Sequence, residues 1–135
     1  RDYYASRGLG DVYKRQLLMA AARRDFFLTV QHGQFYQGKP VIGYDLPGFG
    51  DELCGLPYLP RLIAKARAKL VGSMGDDIIY CCENDRRFFR DHGNIHPADF
   101  LRVVWAAGDS DPKVYDYVRQ RTLSVSSAVP DNEQT

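Results

Sequence analysis

Arg61, Lys65 and Lys69 recur at four-residue intervals within residues 61–71. That spacing lines cations along one flank of a helix. Such a row can hold a carboxylate or phosphate, with Arg61 supplying two parallel N–H donors. Arg67 falls on the opposite flank, and Asp85 is the acid best placed to answer one of these cations at a corner of the fold. The ligand-binding set read from the sequence is therefore Arg61, Lys65, Arg67 and Asp85. A charged flank is more commonly solvated or paired with nearby acids, here Asp76, Asp77, Asp85 and Asp91.

A second constellation is Cys82, His92 and His96, with Cys81 beside it. The histidines have the separation of finger-type zinc ligands. The cysteines are adjacent, however, and on a strand adjacent side chains point to opposite faces. The expectation is therefore no metal, a buried Cys82, an exposed or half-buried Cys81, and histidines serving turns and caps. A lone thiol could act as nucleophile with His92 or His96 as base, but nothing in the sequence brings them together. Residues 72–75 follow a helix rather than open one, so they are no phosphate loop. The aromatics at 56–58, 88, 89, 105, 115 and 117 read as core or oligomer surface, with an aromatic-lined pocket as the sharper alternative.

The elements carrying these residues follow from periodicity. Leu62, Ile63, Ala66 and Leu70 give residues 61–71 a buried helical face. Pro60 suits the first turn and Gly72 a left-handed cap. Asn84 or Asp85 caps a helix running to Arg90, with Phe88 and Phe89 facing inward. His96-Pro97 opens a third helix with a Phe100, Leu101, Val104, Trp105 stripe, closed by Gly108. Residues 109–112 start a fourth, with Val114, Tyr117 and Val118 inward. Residues 76–82 are rich in Ile, Tyr and Cys and read as a short strand. Residues 26–30 and 41–44 suggest a small hairpin, and residues 46–51 are Pro/Gly punctuation marking a boundary. The expectation is a small α+β, mainly α domain of about four short helices and one or two short strands.

Residues 1–16 stand apart. Residues 11–16 can be written GAT GTG TAT AAG AGA CAG, which resembles the transposase end used in building shotgun libraries, and residues 1–10 fit the flanking primer and barcode. Foreign segments are set aside before fold reasoning. The organisation is then 1–16 as an adapter-like peptide, 17–50 as an N-terminal segment, 51–122 as the helical domain, and 123–135 as a Ser-rich tail expected to be disordered. Met19 is a candidate natural start. The excluded peptide carries a net +2, which takes the formal charge from +1 to −1. The positive excess needed for phosphate-backbone binding goes with it, so nucleic acid is not an expected partner. The three cysteines form no disulfide framework and fit a reducing cytoplasm. No apolar run reaches the roughly 18 residues of a membrane span.

Residues 51–122 resemble the bacterial domain-of-unknown-function family 5069. The resemblance rests on Gly55, Leu59-Pro60-Arg61, Lys65-Ala66-Arg67-Ala68, Leu70, Gly72 and Gly75. It continues through Tyr80, Cys82, Asp85, Phe88-Phe89, Gly93, Ile95, Phe100 and Asp111. It implies a compact cytoplasmic helical domain, with no cofactor and no catalytic residues to carry over. The chain departs from the pattern at Ala64 (an acid expected), Glu83 (a proline expected) and Arg86 (an amide expected), and Cys81 and His92 fall outside it. Ala64 weakens an acid–lysine catalytic scheme. The function expected is a non-catalytic module that binds a protein partner or assembles with itself. The alternative is a small-molecule or anion-binding domain, enzymatic or not, built on the cationic row.

Overall fold

A helix that begins with Pro at its second residue and ends at a left-handed glycine organises the chain. This helix, α2 (Leu59–Val71), buries Leu59, Leu62, Ile63, Ala66 and Leu70 and stops where Gly72 adopts φ 81°. A Cβ at Gly72 would sit in a region L residues rarely adopt and against the Arg23 guanidinium. The last carbonyls of α2 are not left orphaned. Arg23 Nε donates to the Lys69 carbonyl at 3.2 Å and Gln31 Nε2 to that of Val71 at 2.8 Å.

The computed structural model describes residues 2–134, with side-chain surroundings for residues 10–125. Arg23 and Gln31 belong to or follow α1 (Asp2–Thr29), which packs on α2 and on α4 (Pro97–Ala107). The other helices are α3 (Glu83–Asp91) and α5 (Asp111–Gln134). Together with one two-stranded antiparallel sheet they make a small, mainly α, α+β fold among the described residues. Phe100, Leu101 and Val104 of α4 and Val114 and Val118 of α5 close the core around α2.

The sheet pairs β1 (Glu52–Leu53) with β2 (Leu56–Pro57), in the register Glu52 with Pro57 and Leu53 with Leu56. Cys54 and Gly55 between them have φ 52° and 82°. Two positive φ values define the tight hairpin turn that matches strand twist. This hairpin delivers the chain directly into α2.

Four sequence expectations are corrected. Residues 26–29 are not a hairpin strand but the last turn of α1, where Phe26 meets Trp105 edge-on at 5.3 Å. Their aromatic, β-branched composition yields to tertiary packing. Val41, the proposed partner run, instead forms an isolated parallel bridge to Met74. Residues 76–82 are not a strand either: Cys81 turns left-handed at φ 71°, which breaks any alternation of faces. Consequently Cys81 is the buried thiol and Cys82 the half-buried one, the reverse of the expectation. Finally, residues 123–125 of the expected disordered tail continue α5. The side chains of residues 126–135 lie outside the described set, as do those of residues 1–9 of the adapter-like peptide.

Candidate functional site

Tyr58, Arg61 and Lys65 fall at helical intervals of three and four, so α2 presents them along one side. Facing them is the start of α3, whose N-cap is Cys82 and whose third residue is Asp85. The site lies between these two helix beginnings.

Its floor is an ion pair. Lys65 Nζ donates to Asp85 Oδ2 at 2.8 Å and Oδ1 at 3.1 Å, and both residues are buried, Asp85 completely. Removing two charges from water is costly unless every lone pair and proton is answered. Here they are. The Cys81 and Cys82 backbone N–H groups donate to Asp85 Oδ2 at 2.8 and 3.3 Å, and the Tyr58 hydroxyl donates to Oδ1. The remaining direction of the ammonium is toward Cys82 Sγ, 3.4 Å away. The left-handed backbone at Cys81 makes this possible by aiming two successive N–H groups at one carboxylate. Tyr58 is left-handed as well, at φ 76°. Bulky residues adopt that conformation only where surrounding contacts over-determine it.

Above this floor opens a cleft of about 200 Å³, lined by Phe49, Tyr58, Arg61, Lys65, Cys82 and the 77–79 turn. At liquid density that is room for roughly six or seven waters. Arg61 forms one wall. Its Nη1 donates to the Pro47 carbonyl at 3.0 Å, and its Cζ lies 4.2 Å from the Phe49 ring centroid, a cation–π contact. Its Nε is buried and has no hydrogen-bond partner among the described residues. No acid pairs with Arg61 among the described residues. Asp77, on the opposite rim, accepts from the Gly43 N–H at 2.9 Å.

Protonation divides the roles. Burial, and then the hydrogen bond to Asp85, push the Tyr58 hydroxyl well above its ordinary range. Tyr58 therefore stays a phenol at neutral pH and offers an incoming group its oxygen lone pairs, not a base. Burial also raises the Cys81 thiol.

Of the sequence-derived set, Arg61, Lys65 and Asp85 are brought together and Arg67 is not. Arg67 reaches away to Asp111 Oδ1 at 2.5 Å and the Gly108 carbonyl at 3.0 Å, fastening α2 to the start of α5. Lys65 is no solvated flank residue, because it is 4% exposed. His92 ends α3, its Nδ1 2.8 Å from the Phe88 carbonyl and its ring stacked on Phe88 at 4.1 Å. His96 Nδ1 accepts from the Ala98 N–H at 3.0 Å as the N-cap of α4. Among the described residues no group of three or more His, Cys, Asp or Glu side chains converges as a metal site. The residues that sequence reasoning missed are Phe49 and the Tyr58–Asp85 contact. The interval from Tyr58 to Lys65, two helical turns, was the available signal.

A family model described as Domain of unknown function (DUF5069) matches residues 50–128, more than half of the chain. The chain belongs to this family. The DUF5069 match spans β1, β2 and α2 to α4, and so contains every residue of the ion-pair floor. No curated protein and no solved structure matched the chain. Among the described residues of this DUF5069 protein, no helix is long and apolar enough to cross a membrane.

Proposed function

We propose that the domain binds a compact metabolite carrying a carboxylate or phosphate in the cleft above Lys65 and Asp85. The observation that carries this reading is Arg61, a cation that no acid pairs among the described residues, on the wall of an open cleft. Among those residues only Nη1 of its guanidinium is engaged by a carbonyl, that of Pro47, and a carboxylate or phosphate matches the planar donor fork. Lys65 contributes less, since Asp85 and Cys82 already engage it. The anion therefore rests chiefly on Arg61, with the Phe49 and Tyr58 rings packing its carbon frame. The free thiols support a reducing, cytoplasmic setting.

A thermal-shift screen of small dicarboxylates and phosphate esters tests this. At ten times Kd a ligand adds about 1.4 kcal/mol to the native state, a rise of several degrees in a domain of this size. Arg61→Met removes the ligand-induced shift, measured against that variant's own apo melting temperature. No stabilisation by any member at millimolar concentration overturns the proposal.

A second reading, a protein-interaction or self-assembling module, is favoured by large apolar side chains left exposed at the surface. Tyr44 is 95% exposed and Ile79 66%. Light scattering that finds a monomer at all concentrations removes its self-assembling form.

A further inference from the structure

We propose that Cys82 is the nucleophilic thiol of this cleft and captures a compact carboxylate bearing an electrophilic carbon. This rests on the ligand reading above and adds the chemistry of the bound group. Cys82 lines the cleft with Arg61, is half-buried, and caps the positive end of α3. Its Sγ takes a hydrogen bond from Lys65 Nζ at 3.4 Å, and the Tyr58 hydroxyl is a further polar neighbour. The sulfur is met by an ammonium, a helix N-terminus and a guanidinium wall, which draw an anionic reagent toward it. The acids nearby are Asp85, neutralised by Lys65, and Asp77 on the far rim. Lys65 is a positioning residue: Asp85 fixes its ammonium so that one N–H direction remains for sulfur.

The other two cysteines are internal references. Cys54 is exposed at the β1–β2 turn, and Cys81 is buried with its thiol raised by burial. Capture forms a single S–C bond. With iodoacetate the carbon–iodine bond breaks, iodide leaves with the bonding pair, and the thiol proton passes to water.

The experiment labels the full chain at pH 7 with limiting iodoacetate or its neutral counterpart iodoacetamide, then locates the label by peptide fragmentation. The expected result is iodoacetate labelling of Cys82 about ten-fold faster than Cys54, the scale on which a charged cleft concentrates an opposite charge. The acetate-to-acetamide ratio is higher at Cys82 than at Cys54, and Arg61→Met brings it down to the Cys54 value with Cys54 itself unchanged. Lys65→Arg keeps a cation at the floor and keeps the preference. Equal rates at Cys82 and Cys54, or equal ratios at the two, overturn the inference. The two proposals fail separately. A chain stabilised by free anions but slow at Cys82 loses the thiol role alone. One that labels selectively but is stabilised by no anion loses the ligand reading and keeps a reactive thiol.

Discussion

Lys65 Nζ lies 2.8 Å from Asp85 Oδ2, across twenty residues of sequence and with both side chains out of water. The pair fixes the separation of the second turn of α2 and the first turn of α3 and thereby the width of the cleft between them. Such a pair specifies geometry more than it adds stability.

Breaking the pair from either side leaves an unanswered buried charge. Lys65→Met and Asp85→Asn should each cost about 3–5 kcal/mol in urea unfolding. The double variant should fall short of the summed losses by about 1–3 kcal/mol, as expected of residues in direct contact. Strictly additive losses would show that the two side chains do not interact.

Tyr58→Phe removes a hydrogen bond to a charged group and should cost about 1.5–3 kcal/mol at pH 7. Its pH dependence has a defined sign. Burial and Asp85 hold the folded hydroxyl above its ordinary value near 10, so the unfolded chain loses this proton first. The stabilisation is complete below about pH 10 and declines as pH rises beyond it. The gap between wild type and Tyr58→Phe should therefore stay constant from pH 8 to about pH 10 and narrow above it. Chemical denaturation at a series of pH values measures it, and a widening gap would contradict the assignment.

Gly93 has φ 89°, and a Cβ placed there meets the Arg121 carbonyl oxygen at 2.6 Å and its carbonyl carbon at 2.9 Å. Backbone cannot yield as a side-chain tip can. Arg121 Nε also donates to the Gly93 carbonyl at 2.8 Å, tying the turn after α3 to α5. Gly93→Ala should destabilise by more than about 1 kcal/mol, the usual scale of a misplaced Cβ at positive φ. Gly50→Ala, with open space around it, serves as the control in the same melting experiment.

The helices from α2 onward were legible because their signals are local. Leu62, Ile63, Ala66 and Leu70 recur at helical spacing between a Pro and a Gly, and His96-Pro97 announces α4. Residues 76–82 failed because their β-prone composition is overruled just downstream, where the Asp85 carboxylate accepts the Cys81 and Cys82 N–H groups and holds Cys81 in a left-handed turn. The reversal of the two thiols followed from that error. Lys65 was legible as a cation but not as a buried one, because only Asp85, on another helix, answers its charge. Arg67 carries the same charge on the same helix and differs only in which neighbour the fold brings it. Sequence pattern located α2 and α3; the meeting of Lys65 with Asp85 between them is a tertiary fact.

The first buried side chain among the described residues is Met19, followed by Ala22. Residues 10–18 are exposed apart from a half-buried Arg15. Deleting residues 1–16 should therefore change the melting temperature by no more than a few degrees, the effect of about 1 kcal/mol. Met19→Ala should cost about 2–4 kcal/mol through the cavity it leaves. A deletion variant that fails to fold would place native packing inside the adapter-like peptide.

The cleft itself is tested most directly by titrating the isotopically labelled protein with the best anionic ligand and following its amide resonances. The account predicts saturable shifts concentrated at Phe49, Arg61, Ile78 and Cys82, lost in Arg61→Met. Shifts confined to the apolar cleft around Leu56, Tyr115 and Val118, or unchanged binding by Arg61→Met, would contradict it.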